Sequence, residues 1–168
     1  MKPVIVLAMH GSIPKDFPQE EKLEFLKLHS QIDNLPEEKR KTIQARHDEL
    51  DEKMRNWPRS VQNDKFHFSS NQIAVSLEKA SGSTVMVGYN EFCAPNLTQA
   101  LEDAVEKAET QVLVITPMMT QGGIHAEFEI PDEIKQVQEK YPDKKISYVW
   151  PFDTDDIADF FVKQIEKR

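Results

Sequence analysis

Two histidines and one glutamate occupy positions where a parallel sheet would bring their side chains together. His10 directly follows the apolar run Val4–Met9, and Glu91 follows a second apolar run. His125 stands at the end of a glycine-containing loop that follows a third apolar run. Two imidazoles and a carboxylate form a ligand set that suits cobalt, nickel, iron or zinc. The residues therefore predict a metal site, provided that the elements carrying them are neighbours.

Four apolar runs have the composition of strands that are buried on both faces of a sheet. Each of the last three runs is preceded by a segment in which apolar residues recur at helical intervals. Strands that alternate with helices favour right-handed β-α-β units and a parallel sheet. We expect an α/β fold of three layers with a four-stranded parallel sheet in the order 2-1-3-4. The predicted strands are Val4–Met9, Thr84–Tyr89, Gln111–Thr116 and Lys145–Trp150.

The predicted strand order places the three candidate ligands in one crevice. In open parallel sheets, ligands bind beyond the carboxyl ends of the strands, where the strand order reverses. For the order 2-1-3-4 this point lies between the first and third strands, which His10 and His125 follow. The second strand ends just before Glu91, which puts a carboxylate beside the two imidazoles.

The segment between the first two predicted strands is unusually long. A simple crossover needs about a dozen residues, whereas about 70 separate Met9 from Thr84. Most of this segment has helical periodicity, and its last helix, marked by Ile73 and Leu77, serves as the crossover. We interpret residues 14–68 as a helical insertion within a single domain that spans residues 1–168. The charged run Glu37–Arg55 within it is typical of a solvated helix face.

Composition limits the classes of function. The 168 residues suit one domain, and 21 Lys+Arg against 29 Asp+Glu give a net charge of −8. This charge argues against a nucleic-acid partner, which needs a basic face. The single cysteine, Cys93, cannot form an internal disulfide. The first apolar run is too short to cross a membrane and lacks a signal-peptide cleavage pattern, so we expect a cytoplasmic protein with no membrane partner.

Three motifs resemble those of a known family. His10-Gly11-Ser12 after a buried strand resembles the opening of the sirohydrochlorin chelatases. The segment 122–131, Gly-Gly-Ile-His-Ala-Glu-Phe-Glu-Ile-Pro, is similar to their second motif, in which Gly-x-His is followed by an acidic residue, Ile and Pro. The segment 91–97 is similar to their Glu-x-x-x-Pro-Ser-Leu stretch. The resemblance covers the first strand and about residues 70–168.

This resemblance implies a chelatase-like fold and the insertion of a divalent metal into sirohydrochlorin or a related tetrapyrrole. The metal, which is a substrate, would be cobalt or iron, with nickel as a further candidate, and no organic cofactor is expected. The two metal-site histidines of the family map onto His10 and His125, and its acidic residue maps onto Glu91. Larger relatives fuse two such half-domains, whereas small forms pair, so the resemblance implies a homodimer.

The same hypothesis assigns further residues to the substrate. Gly122 and Gly123 would let a flat macrocycle approach the backbone, and Ser12 is also expected to bind the substrate. Glu91 would accept a proton that the macrocycle loses, or complete the metal coordination. Peripheral carboxylates of the substrate would pair with cations, for which the candidates are Lys15, Arg40, Arg46 and Arg59.

Glu91 and several other residues that could bind a metal also have purely structural interpretations. Glu91 could be a capping partner of a helix start, and Glu129 is expected to be a first-turn acidic residue. The remaining histidines, His29, His47 and His67, are expected to be surface or packing residues. Cys93 is expected to be a small buried side chain, with a soft metal ligand as the minority reading.

Other functions are weighed against chelation. The family often has Arg after His-Gly-Ser, where this chain has Ile13, which favours a non-catalytic carrier of a tetrapyrrole or metal as the alternative. A partner-binding protein whose insertion forms the interface is a third hypothesis. The chain lacks the Gly-x-Ser-x-Gly elbow of serine hydrolases and a Gly-rich phosphate loop.

Overall fold

The four predicted strands are all present, in a computed structural model that describes residues 2–32 and 36–168. They form one parallel sheet in the order β2-β1-β3-β4, which confirms the predicted topology. All six residues of β1 are buried, because β1 lies between two other strands and carries apolar side chains on both faces. The strands are β1 (Val4–Met9), β2 (Val85–Tyr89), β3 (Gln111–Ile115) and β4 (Lys145–Tyr148).

Six α-helices surround this sheet in the described part of the chain. One π-helical turn, His125–Glu129, leads directly into the fifth of them. The helices are α1 (Gln19–Ile32), α2 (Glu37–Arg55), α3 (Lys65–Ser81), α4 (Leu97–Lys107), α5 (Ile130–Lys140) and α6 (Thr154–Ile165).

The two faces of the sheet are covered to different extents. Helices α4 and α5 close one face, where their apolar stripes pack on β1 and β3 in the main core. On the other face α3 buries Ala74, whereas α6 has no buried residue. An apolar cleft of about 500 Å³ lies between α3 and α6, lined by Leu7, Leu77, Ile115 and Phe160 among others. The apolar face of α6 is therefore largely uncovered.

The insertion forms a small core of its own. Helices α1 and α2 pack together around Phe17, Phe25, Leu50 and Met54, all of which are buried. Their outer surfaces carry ion pairs such as Arg46 with Glu24, which agrees with a solvated charged face. None of the helices in the described residues is both long and apolar enough to cross a membrane.

A buried ion pair fastens the insertion to the strand ends. The guanidinium of Arg59 donates to the carboxylate of Asp64 and to the carbonyl oxygens of Ser12, Met54 and Phe92. Asp64 also accepts from the Ser12 hydroxyl, at 2.6 Å, and from a backbone N–H at the start of α3. Burial alone would raise the pKa of Asp64, but these hydrogen bonds and the guanidinium hold it below its usual value. The pair therefore fixes the backbone that follows β1 and β2.

Candidate metal site

His10 leaves the sheet at the carboxyl end of β1. Its Nδ1 lies 3.1 Å from the carbonyl oxygen of Gly11. An Nδ1–H that donates to this carbonyl leaves Nε2 with a lone pair for a ligand. The ring is 42% exposed, so an ion can reach it from solvent.

Glu91 is held beside His10 by the backbone. The Glu91 N–H donates to the His10 carbonyl, at 2.8 Å, which extends the β1–β2 pairing past both strands. Gly11 has φ +105°, and a Cβ at this position would come within 1.9 Å of the Glu91 carbonyl oxygen. Only glycine fits such a position without displacing its neighbour. The close approach puts a carboxylate oxygen of Glu91 3.5 Å from Nε2 of His10.

His125 reaches the site from the π-helical turn. The Ile130 N–H donates to the His125 carbonyl, which is the widened hydrogen bond of a π turn. The imidazoles of His125 and His10 meet edge to face, with ring centroids 4.4 Å apart. Nδ1 of His125 lies 2.5 Å from a carboxylate oxygen of Glu129. This contact leaves Nε2 of His125 as the nitrogen available to a metal.

The three side chains together form a metal-ligand cluster. One ligand atom from each of His10, Glu91 and His125 lies within 4.8 Å of the others. Two ligands of a tetrahedral ion with bonds of about 2.1 Å lie about 3.4 Å apart, so small side-chain movements would close the cluster around a first-row divalent ion. Three protein ligands would leave coordination positions open for a second molecule.

The structure places the other predicted substrate residues around this cluster. Ser12 follows His10, but its hydroxyl is donated to Asp64. Gly122 and Gly123 are exposed in the loop before His125, and a Cβ on either would meet no atom of the described residues within 4 Å. The contact of these three residues with a substrate remains a prediction. Arg59 is a correction: its guanidinium is only 9% exposed and holds Asp64, so it is not free for substrate carboxylates.

One acidic and one basic residue near the site make contacts beyond those predicted for them. Glu129 lies at the start of α5, as expected, and its carboxylate also lies against His125. Its signal in the sequence is the i,i+4 spacing, which puts both side chains on one helix face. His29 is exposed and stacks on Phe25, as expected of a surface or packing residue, and its Nε2 also lies 3.4 Å from a Glu91 oxygen. No local pattern reveals this contact, because it depends on how the insertion folds back over the sheet.

Other predictions for nearby residues are confirmed. Cys93 is buried, and burial raises the pKa of its thiol, so it is a packed side chain. His67 stacks on Tyr89, with ring centroids 5.5 Å apart.

The fold and the cluster together define an α/β protein with a candidate metal-ligand set at the carboxyl ends of parallel strands. The chain belongs to the CbiX family, whose model matches residues 63–168. The resemblance to the sirohydrochlorin chelatases is thereby confirmed. The matched residues contain Glu91, His125 and Glu129, whereas His10, α1 and α2 precede them.

Comparisons with individual proteins agree with this assignment. The chain is 32% identical over 82 residues to the sirohydrochlorin ferrochelatase of Priestia megaterium, covering 48% of this chain and 30% of the relative. It is 30% identical over 70 residues to the sirohydrochlorin ferrochelatase of Bacillus subtilis (strain 168), covering 42% of this chain and 26% of the relative. The chain thus spans less than a third of each curated relative that it matches.

A solved structure shares the fold. The sirohydrochlorin chelatase SirB from Bacillus subtilis subspecies spizizenii, in complex with cobalt, superposes with a TM-score of 0.50. The superposition covers 90% of this chain and 44% of SirB, at 16% sequence identity. The coverage of this chain extends the likeness beyond the residues that the family model matches. The predicted chelatase-like α/β fold is therefore confirmed.

Proposed function

We propose that this protein is a metal chelatase that inserts a divalent metal ion into sirohydrochlorin or a closely related tetrapyrrole. The observation that carries the proposal is the convergence of His10, Glu91 and His125 at the strand ends of a CbiX-family fold. Both curated relatives are sirohydrochlorin ferrochelatases and the superposed SirB structure contains cobalt, which supports iron and cobalt as the metals. Nickel suits the same ligands.

In this proposal the protein binds the metal first and the macrocycle second. Nε2 of His10 and Nε2 of His125 hold the ion, while the Gly11 carbonyl and the Glu129 carboxylate keep the imidazoles oriented through Nδ1. The open coordination positions then accept nitrogens of the macrocycle. Gly122, Gly123 and Ser12 border the path of the flat substrate, and the two glycines offer it an uncluttered backbone.

Proton balance assigns a role to Glu91. A free-base tetrapyrrole loses two protons when a divalent ion enters it. The two positive charges of the ion replace those of the two protons, so the net charge of the macrocycle does not change. The Glu91 carboxylate lies next to His10 and is 20% exposed. It can accept a proton from the macrocycle and return it to solvent, or bind the ion until the macrocycle nitrogens replace it.

Ile13 follows His10-Gly11-Ser12, at the position where the family often has Arg. Its side chain packs against the apolar cluster of the insertion. An apolar side chain suits this position because its neighbours in that cluster are apolar. Substrate carboxylates would then be met by other side chains in the exposed loops, where Lys15 offers a positive charge and Gln121 a neutral hydrogen-bond donor.

The proposal also includes the assembly and the location. We infer a single chelatase-like domain with a helical insertion at about residues 14–68, acting in the cytoplasm as a homodimer. The exposed apolar side chains of α6, among them Phe161 at 52% and Ile165 at 70%, support pairing, since such a patch is usually covered by a partner.

The decisive experiment is anaerobic absorbance spectroscopy of sirohydrochlorin with Co²⁺, Fe²⁺ or Ni²⁺ and a catalytic amount of protein. Wild type should complete many turnovers, and His10→Ala and His125→Ala should lose them. His67→Ala, which removes an imidazole away from the site, is the matched control and should retain turnover. Tight binding of metal or tetrapyrrole without turnover would replace the chelatase by a carrier.

A further inference from the structure

The helical insertion brings two more imidazoles to the metal site. His29 on α1 lies with its Nε2 3.4 Å from Oε1 of Glu91, while His10 lies 3.5 Å from Oε2 of the same carboxylate. Both distances are close to the separation of two ligands on one first-row metal ion, about 3.4 Å. One carboxylate thus faces an imidazole on each side.

The orientation of His29 is fixed by a second histidine. Nδ1 of His29 lies 3.1 Å from Nε2 of His47, and Nδ1 of His47 lies 3.3 Å from a carboxylate oxygen of Asp48. Phe25 stacks on both rings, at centroid distances of 5.6 and 4.7 Å. If each Nδ1–H donates along this chain, Nε2 of His29 keeps a lone pair. That lone pair and the Glu91 oxygen are then two acceptors side by side, which repel each other. A cation bound to both would remove this repulsion.

The cavity next to His29 is lined by more carboxylates than cationic side chains. It is a cavity of about 160 Å³ that is also lined by Asp51, Glu91 and Glu129. Arg55 is the one arginine or lysine among its lining residues in the described chain. Its guanidinium already donates to Asp51 and to the carbonyl oxygens of Asn90 and Cys93. The remaining carboxylates leave an uncompensated negative charge that disfavours an anionic ligand.

Asn90 gives an independent indication of a missing ligand. Asn90 is among the residues that line the same cavity, and within the described residues neither its Oδ1 nor its Nδ2 has a hydrogen-bond partner although both atoms are buried. Buried amides are normally hydrogen-bonded, and an exception points to a bound water or ion. A cation that reached this amide would find an oxygen ligand in the Asn90 Oδ1.

We propose that His29 and Glu91, with Asn90 and Glu129 around the same cavity, form a second binding position for a divalent first-row metal ion. Glu91 is shared, through one oxygen with His10 and through the other with His29. Binding at this outer position depends only on the residues described above. Its role, to deliver the ion to His10 and His125, rests on the proposed chelatase function.

Anaerobic Co²⁺ titration of the full chain, followed by calorimetry and by the visible absorption of the bound ion, tests the proposal. Wild type should bind two Co²⁺ per chain. His29→Ala and His29→Gln should each bind one, and Gln at this position keeps a polar side chain of similar reach if Ala disturbs α1. His10→Ala should retain the outer ion, and His67→Ala should retain both. One Co²⁺ per chain in wild type, or two in both His29 variants, would overturn the outer position.

Turnover separates this proposal from the proposed function. If the outer position delivers the ion, His29→Gln should raise the KM for Co²⁺ about 10-fold or more and leave kcat nearly unchanged at saturating metal. Two Co²⁺ per chain without any insertion would retain the site and remove the chelatase. Normal insertion with the wild-type KM in His29→Gln would retain the chelatase and remove the delivery role.

Discussion

The carboxylate of Glu129 lies 2.5 Å from Nδ1 of His125, four residues earlier on the same helical segment. The π turn at residues 125–129 sets how these two side chains face each other. A carboxylate on the remote nitrogen fixes the tautomer of a ligating histidine and raises its basicity. Glu129 is therefore a positioning residue for the metal, acting through His125.

Glu129→Gln should weaken metal binding at His10 and His125 about 10- to 100-fold, since the amide cannot hold the imidazole as the carboxylate does. Competition with a chromophoric chelator for Co²⁺ measures this affinity when both proteins also carry His29→Gln, which removes the outer position. Glu139→Gln, an exposed change on α5, is the control for the lost charge. Equal affinities in wild type and Glu129→Gln would show that His125 is oriented without Glu129.

Gly11→Ala should disrupt the site through Glu91. The new Cβ would fall 1.9 Å from the Glu91 carbonyl oxygen at a backbone φ of +105°, so both strain and overlap must be relieved by moving Glu91. Strain at such a φ costs about 1–3 kcal/mol, and metal affinity should fall together with Tm. Thermal unfolding with and without Co²⁺ measures both effects.

Gly123→Ala provides the comparison for Gly11→Ala. A Cβ at residue 123 meets no atom of the described residues within 4 Å, and no positive φ is recorded there. Its Tm and Co²⁺ affinity should match those of wild type, whereas a macrocycle that passes over this loop should bind less well. A loss of metal affinity equal to that of Gly11→Ala would mean that the glycines act alike and not through Glu91.

The sequence predicted the sheet because its strands are short apolar runs between helical patterns, and their order follows from chain connectivity. It also placed His10, Glu91 and His125 together, since each directly follows a strand or its loop. The contact between His29 and Glu91 could not be predicted in this way. It depends on the packing of α1 over the strand ends, and no spacing along the chain records that packing.

The exposure of the apolar face of α6 could not be predicted from the sequence, for a different reason. Ile157, Phe160, Phe161 and Ile165 recur at helical intervals, and such a stripe normally predicts burial in the same chain. Periodicity states that a face is apolar but not what covers it. In the structure, Ile165 is 70% exposed and the helix has no buried residue.

Asp64→Asn should destabilise the protein and change its response to acid. Asp64 is the buried partner of Arg59, and loss of one charge of such a pair costs about 3–5 kcal/mol. Because the pKa of Asp64 is lowered on folding, its stabilising contribution is fully present above the unfolded pKa, about 4. That contribution is lost as the pH falls through the lower folded pKa.

Urea unfolding at pH 7 and at a series of values from about pH 5 downwards measures both effects of Asp64→Asn. The difference from wild type should be largest at neutral pH and should shrink below about pH 4. Asp143→Asn, at an exposed position before β4, should follow wild type throughout. A difference that stays constant at low pH would mean that the Asp64 charge does not carry the stabilisation.

The exposed face of α6 predicts how the proposed homodimer can be dissociated. Phe161 and Ile165 are 52% and 70% exposed, and a two-fold interface would bury the same patch on both copies. Phe161→Lys together with Ile165→Lys should shift the protein from twice the 19.4 kDa chain mass to a single chain mass, because buried like charges would face each other across the axis. Sedimentation equilibrium at micromolar concentrations measures the mass, and Glu166→Lys, an exposed polar change at the end of the same helix, should leave it unchanged. A wild-type mass of one chain would remove the homodimer, and a double variant that remains paired would move the interface away from α6.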